Sequence, residues 1–200
     1  MLVKDYGGEI DWNIGAFCGH DEMMFDIDKA CKMACEKNGI RYVFGSISTV
    51  LQGGRIPQQN LPVSEVLSRA DKYNELGLGV RLTFSSPFVT RGDLVDETSN
   101  IMLRHLDHNN QNGLINRNGV IVISDFLADY IRYMYPNLEL ISSQVKPSVE
   151  VGLGNDSAEY YNRLLDRFDI VVVNPFKIHD EQFIKNLHDH DRVEFIVNHR

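Results

Sequence analysis

The sequence lacks any long apolar segment. No stretch approaches the roughly 18 apolar residues that a membrane-spanning helix requires. The N-terminal residues MLVKDYGGEIDW also lack the apolar block of a signal peptide. Cysteine is scarce, with three in 200 residues and none in a disulfide-like framework, which is typical of reducing surroundings. These absences predict a cytoplasmic protein that does not bind membranes.

Basic residues are too few for a general nucleic-acid-binding protein. The formal net charge is −8, so the whole chain repels polyanions, and we expect no broad binding to nucleic acid. The sequence also contains no G-x-S-x-G or H-E-x-x-H motif. Two G-x-G triplets occur in LGLGV and VGLGND, but neither lies between a strand and a helix with a third glycine, so they predict no dinucleotide site.

Three cysteines and a histidine near the N-terminus raise the question of a metal site. Cys31 and Cys35 are four residues apart on the apolar face of a predicted helix, where free cysteine commonly packs as a small core residue. Cys18 and His20 precede that helix. A metal site remains the alternative, but the spacing favours buried thiols with no bound metal.

What the sequence does contain is a regular alternation of strand and helix patterns. A chain that is 43% hydrophobic and 24% charged can bury one sizeable core, so we predict a single domain over residues 1–200. Helical spacing of apolar residues predicts six helices, at 21–38, 63–77, 95–108, 125–136, 157–168 and 179–188. Seven strands alternate with them, WNIGA, YVFGS, VRLTF, VIVIS, LELISS, IVVVN and EFIVN. This order predicts parallel pairing in a (β/α) barrel or an open doubly wound sheet.

Polar residues follow nearly every predicted strand. Parallel α/β folds bind ligands at the carboxyl ends of their strands, so these residues are candidates for one shared site. Arg55 follows Gly53 and Gly54 on a loop, where it is placed to pair with a carboxylate or phosphate. The alternative is that single residues such as Ser124 only cap the next helix. The candidate set is Ser46, Arg55, Thr83, Ser85, Ser124, Gln144, Lys146, Asn174 and Asn198.

Gln144 and Lys146 are the strongest members of this set. If they lie two apart on one strand, they share a face, and burying them is costly unless another group pairs with them. This pattern predicts that they contact a ligand.

The same segments resemble a known family. The chain resembles the (β/α) barrel of peptidase family U32, the collagenase-like group. The resemblance lies in the order of its segments: a long helix, then YVFGS with GGR, GVRLTFS, GVIVIS, NLELISSQVK and RVEFIVN. The resemblance spans nearly the whole chain and implies a TIM-type barrel. It places Gln144 at the glutamine of a Ser-Thr-Gln-type triplet and matches the GGR loop to a polar loop after the second strand.

The chain departs from that family at two places. Asn174 and Pro175 stand where better-known members carry an Arg-Glu pair, and no cysteine follows Cys35. The resemblance therefore implies no cofactor within this chain, and an iron–sulfur cluster only in the full-length family context. Seven strands, where a closed barrel needs eight, predict an incomplete barrel. Its open edge would be covered by a partner or by oligomerisation.

Two functions follow from the resemblance. One is an enzyme, a hydrolase or a cluster-dependent hydroxylase, that takes a peptide, an RNA base or another small anionic or amide-bearing substrate at the carboxyl ends of the strands. Arg55, Gln144 and Lys146 would then bind the substrate, with Ser85, Ser124, Asn174 and Asn198 beside them. The alternative is a non-catalytic barrel that binds a ligand or partner with the same residues.

Overall fold

The computed structural model describes residues 11–15, 17, 39–52 and 61–196. The strands are β1 Asp11–Ile14, β2 Gly39–Gly45, β3 Gly79–Phe84, β4 Gly119–Val122, β5 Glu139–Ser142, β6 Ile170–Val173 and β7 Val193–Phe195. The α-helices are α1 Val63–Glu75, α2 Glu97–Gln111, α3 Asp125–Met134, α4 Lys146–Glu150, α5 Ala158–Leu165 and α6 Glu181–Lys185. Four short 3-10 helices lie in the connections, at Val50–Gln52, Asp93–Val95, Pro175–Lys177 and His190–Arg192.

The seven strands form one sheet in the order of the sequence, and every neighbouring pair is parallel. This confirms the predicted barrel order and rules out the doubly wound alternative, in which the strand order reverses. Five of the six predicted helices are present with shifted ends. The predicted helix at 21–38 lies outside the described residues, as do Cys18, His20, Cys31 and Cys35.

One side-chain contact shows that the sheet curls. The Arg81 Nη1 atom on β3 lies 2.6 Å from the Glu194 Oε1 atom on β7, although β7 is the fourth strand along from β3. In a flat sheet these strands would lie about 19 Å apart, since neighbouring strands are about 4.8 Å apart. The contact therefore requires the incomplete barrel to bend until β3 and β7 face each other.

The main core lies between the outer face of this curved sheet and the helices. Side chains alternate along each strand, and β3 places Val80, Leu82 and Phe84 outward, where all three are buried. Val120 and Val122 continue this layer on β4. Each fully buried side chain of this kind contributes about 1.5–3 kcal/mol, so the helices are held mainly by their apolar faces.

Short polar side chains set the start of four helices. Asp96, Ser124, Ser157 and Asp180 each accept a hydrogen bond from a backbone N–H in the first turn of the helix that follows. These bonds satisfy donors that have no partner inside a helix. Of these helices, α3 begins directly after strand β4, and the other three caps end the longer loops that follow β3, β5 and β6.

One predicted element is wrong. Strand β5 ends at Ser142, so Gln144 and Lys146 do not lie on a strand, and Lys146 begins the unpredicted helix α4. The Lys146 N–H donates to the Ser143 carbonyl in a turn, and Pro147 fits the first turn of a helix because its missing N–H has no role there. The strand pattern in LELISSQV continued past the point where this turn begins.

The sheet is open between its first and last strands. In the part of the chain that the structure describes, β1 pairs only with β2 and β7 only with β6. No helix within the described ranges is long and apolar enough to cross a bilayer. A partner that covers the open edge stays a prediction.

Candidate functional site

The candidate site is the mouth of the barrel, defined as the carboxyl ends of β2 to β6 with the described loops that follow them, 46–52, 85–96, 123–125, 143–157 and 174–180. Parallel pairing brings these five loops to one end of the sheet. Seven of the nine candidates named from the sequence lie there, Ser46, Thr83, Ser85, Ser124, Gln144, Lys146 and Asn174. Arg55 and Asn198 lie outside the described residues.

Lys146 is fully buried and is held by the protein itself. Its Nζ atom donates to Asp125 Oδ1 at 2.8 Å, to Glu150 Oε1 at 2.5 Å and to the Ile123 carbonyl at 2.6 Å. The sequence predicted a ligand contact because burying an unpaired ammonium group is costly. In the structure, two carboxylates of the protein offset that cost. Lys146 ties together the loops after β4 and β5, and its contact with a substrate stays a prediction.

Tyr160 extends this cluster outward. Its hydroxyl donates to Glu150 Oε2 at 2.6 Å, so Glu150 joins the tyrosine to Lys146. Burial, and then the hydrogen bond to Glu150, raise the pKa of Tyr160 well above its ordinary value. The hydroxyl therefore stays protonated and acts as a fixed donor.

Asn174 and Ser124 both have local structural bonds. The Ser124 side chain caps α3 by accepting from the Leu127 N–H at 3.3 Å, which is the alternative weighed for it from the sequence. Asn174 Oδ1 accepts from the Phe176 N–H at 3.1 Å, and the Asn174 N–H donates to the Tyr161 hydroxyl at 3.0 Å. These bonds hold the loop ends rigidly, while the Asn174 amide nitrogen is left to donate elsewhere.

Two buried hydroxyls at the mouth have no partner among the described residues, as is also the case for Arg81 Nε and Ser142 Oγ elsewhere in the barrel. Ser85, after β3, is 4% exposed, and its Oγ atom has no hydrogen-bond partner in the described part of the chain. Thr49 Oγ1, in the loop after β2, is also buried with no partner there. Leaving such a hydroxyl unpaired costs about 1–3 kcal/mol, which a bound ligand or water would recover.

The loops that carry these two hydroxyls are joined to each other. The Ser86 N–H donates to the Leu51 carbonyl at 3.1 Å, and the 3-10 helices Val50–Gln52 and Asp93–Val95 pack together. Thr49 was not among the site candidates predicted from the sequence, because nothing distinguishes it from the neighbouring Ser48 until the loop folds against the next one. Ser85 was named from its place after a strand.

The opposite end of the barrel interior holds a buried ion cluster. Arg81 is 1% exposed, contacts Glu194 at 2.6 Å and Glu139 at 3.4 Å, and has its guanidinium carbon 3.6 Å from the centre of the Tyr42 ring. Gly79 makes room for that ring, since a Cβ atom there would lie 2.7 Å from the Tyr42 ring. The cluster spans the barrel from β2 to β7.

The pKa values of Arg81 and Glu139 are both raised, which favours the charged form of Arg81 and disfavours the charged form of Glu139. Burial lowers the pKa of Arg81, but the carboxylates of Glu194 and Glu139 outweigh burial and raise it overall. For Glu139, burial outweighs Arg81 and raises the pKa. The distances explain the difference: Glu194 is the close partner of Arg81, and Glu139 is a weaker partner that is buried at a cost.

An asparagine network lies at the same amino-terminal end of the strands, on the outer side of the sheet. Asn118 is fully buried, and its side chain exchanges two hydrogen bonds with Asn74, at 2.8 and 3.0 Å, while accepting from the Val80 N–H at 2.8 Å. Asn110 Oδ1 accepts from the Asn118 N–H at 2.7 Å. Every polar atom of the Asn118 side chain is therefore paired, as expected of a site that serves stability.

The mouth offers neutral hydrogen-bonding groups. Hydroxyls and amides bind peptide groups well, but they are weak nucleophiles without an adjacent base. Among the described residues no three metal-ligating side chains lie together. The three cysteines of the sequence are one short of the four thiolates that an iron–sulfur cluster takes, so these residues do not supply its ligand set.

Comparison with known proteins finds likeness in structure alone. No protein-family model and no curated protein matches the sequence. The structure of the U32 peptidase Mk0906 is similar over 94% of this chain and 68% of its own, with a TM-score of 0.53 and 16% identity. An alpha-amylase from Lactobacillus plantarum covers 83% of this chain and 52% of its own, with a TM-score of 0.40 and 11% identity. The first likeness confirms the U32-like resemblance at the level of the fold.

Proposed function

We propose that this chain, whose fold is that of a U32 peptidase, binds a peptide or another amide-bearing substrate at the mouth of its barrel and acts on it there. The observation that carries the proposal is a pair of buried hydroxyls, Ser85 Oγ and Thr49 Oγ1, on two neighbouring loops, neither of which has a partner among the described residues. The similar structure is that of a U32 peptidase, which supports a peptide as the substrate.

The chemistry of a peptide fits these two groups. A hydroxyl both donates and accepts a hydrogen bond, and each peptide unit offers one donor and one acceptor. A backbone entering the mouth would therefore pair with both hydroxyls. Asn174, after β6 at the same mouth, adds an amide donor, since its side-chain oxygen already accepts from the Phe176 N–H.

A non-catalytic binding protein is the second candidate. The observation that favours it is the neutrality of the predicted site residues at the mouth: Lys146 is neutralised by Asp125 and Glu150, and the others carry hydroxyls or amides. These residues bind without supplying an activated nucleophile. The two candidates share one site and differ only in turnover.

Serine-to-alanine substitution at two positions tests the site. Ser85→Ala removes the hydroxyl at the mouth, and Ser142→Ala is its matched control. Ser142 Oγ is also buried and without a partner among the described residues, but it lies on β5 between the outward-facing Val122 and Val171 in register. The probe is a pool of quenched fluorescent peptides, with binding followed by fluorescence anisotropy and cleavage by the rise in emission.

We expect Ser85→Ala to weaken binding about 5- to 30-fold, the loss of one hydrogen bond worth about 1–2 kcal/mol. Ser142→Ala should bind as the unmodified chain does, and both variants should melt within a few degrees of it. Equal binding by all three proteins would contradict the proposed site. A rise in emission would select the enzyme, whereas saturable binding without cleavage would select the binding protein.

A further inference from the structure

Large apolar side chains stand exposed around the mouth. Four of the five loops that follow β2 to β6 carry at least one, and after β4 the exposed Phe126 lies in the first turn of α3. Phe88, Leu153 and Phe176 are 85%, 85% and 81% exposed. We call this set the rim. Its members are Val50, Phe88, Val95, Phe126, Val149, Leu153 and Phe176.

Single exposed apolar residues are common on proteins and need no explanation. The rim differs because four loops of the mouth and the first turn of α3 contribute to it, and because two of those loops carry buried hydroxyls that lack a partner among the described residues. The packing of the Val50–Gln52 helix on the Asp93–Val95 helix shows that two of its segments are neighbours. An apolar border around a polar floor is the usual form of a ligand site.

Charge narrows the choice of ligand. In the described residues of the five loops, Asp125 and Glu150 pair with Lys146. Among the other charged side chains there, acidic residues outnumber basic ones: Asp93, Asp96, Asp156 and Asp180 against Arg91 and Lys177. The buried Lys146 is already paired twice, so it adds no attraction for an anion. The field at the mouth therefore favours neutral or basic ligands and disfavours acidic ones.

We infer that the mouth selects peptide segments that carry large apolar side chains and basic rather than acidic neighbours. This inference rests on the proposed function, because the backbone of the segment pairs with the hydroxyls of Ser85 and Thr49. Its apolar side chains then cover Phe88 and Phe176 at the rim. A second copy of this chain fits less well, since each copy carries a net charge of −8, and an anionic lipid surface is repelled for the same reason.

The test compares three pools of synthetic acetylated hexapeptide amides. The first contains Leu, Phe and Lys, the second Ser, Gln and Lys, and the third Leu, Phe and Glu. We expect the first pool to bind about tenfold more tightly than either of the others. In the double variant Phe88→Ser with Phe176→Ser, the preference for the first pool over the second should be lost.

Ile115→Ser is the matched control. Ile115 is 89% exposed, but it lies in the loop before β4, at the opposite end of the strands, so its replacement should leave the preference intact. Both proteins should keep the melting temperature of the unmodified chain, because the replaced side chains are exposed.

Each other result overturns the inference in a recognisable way. If Ser85→Ala weakens binding of the first pool while the rim variant keeps the full preference, the proposed function stands and the inference falls. If no pool binds, both fall. Tighter binding of the Glu pool, binding to phosphatidylserine vesicles, or dimerisation that the rim variant abolishes would each assign the rim to another occupant.

Discussion

The two ends of the barrel use similar side chains in opposite ways. At the amino ends of the strands, Asn118 is fully buried with every side-chain polar atom paired. At the carboxyl ends, Ser85 is almost as buried, and its hydroxyl has no partner in the described residues. Both residues are small and polar, so composition does not separate them. Their surroundings do.

Under the proposed function, this difference separates residues that stabilise the fold from residues that bind the ligand. A paired buried group adds about 0.5–1.5 kcal/mol to stability, whereas an unpaired one costs about 1–3 kcal/mol. A fold tolerates that cost where another molecule supplies the missing bond. Barrel enzymes show the same division, with their sites at the carboxyl ends of the strands and their structural residues at the amino ends.

The largest expected effect is the loss of Arg81. Arg81→Leu leaves Glu139 and Glu194 inside the barrel without their cation, so we expect the free energy of unfolding to fall by about 3–5 kcal/mol. Denaturant titration measures this change. The triple variant that adds Glu139→Gln and Glu194→Gln removes the stranded charges and should recover most of the loss. A triple variant as unstable as Arg81→Leu would show that packing, and not charge, is what Arg81 supplies.

The next effect sharpens the comparison between the two ends. Asn118→Ala leaves the Asn74 side chain and the Val80 N–H without their hydrogen-bond partner. We expect a loss of about 2–4 kcal/mol in unfolding free energy. Asn174→Ala at the mouth removes one capping bond, to the Phe176 N–H, and should cost about 1 kcal/mol. Equal losses for the two variants would break the distinction between a structural end and a binding end.

The smallest effect is a dependence on pH. Burial raises the pKa of Glu139 in the folded chain, so its ionisation is easier in the unfolded chain. Glu139 therefore contributes most to stability below the ordinary glutamate pKa, and that contribution is lost as pH rises through the raised value. Glu139→Gln keeps an acceptor for Arg81 and removes the ionisation. We expect the unfolding free energy of this variant to rise relative to the unmodified chain between pH 4 and pH 7. A fall over the same range would mean that the pKa of Glu139 is lowered in the folded chain and not raised.

Much of the fold could be predicted because its signals are local. The alternating apolar residues of β3, the apolar run of β4 and the caps at Ser124 and Ser157 all act within a few positions of the chain. The helix at Lys146–Glu150 was missed because a strand-like pattern runs on past Ser142. Pro147 was the local signal that could have revealed it.

The sequence by itself determined the order of strands and helices, and hence which residues reach the carboxyl end of the sheet. Only the tertiary structure decided which of them are paired. Lys146 receives Asp125 from 21 positions away, and Arg81 receives Glu194 from 113 positions away. Ser85 and Thr49 receive no partner from the described residues. Pairing depends on which loops the curved sheet brings together. No local pattern of residues encodes contacts between segments that lie so far apart in the sequence.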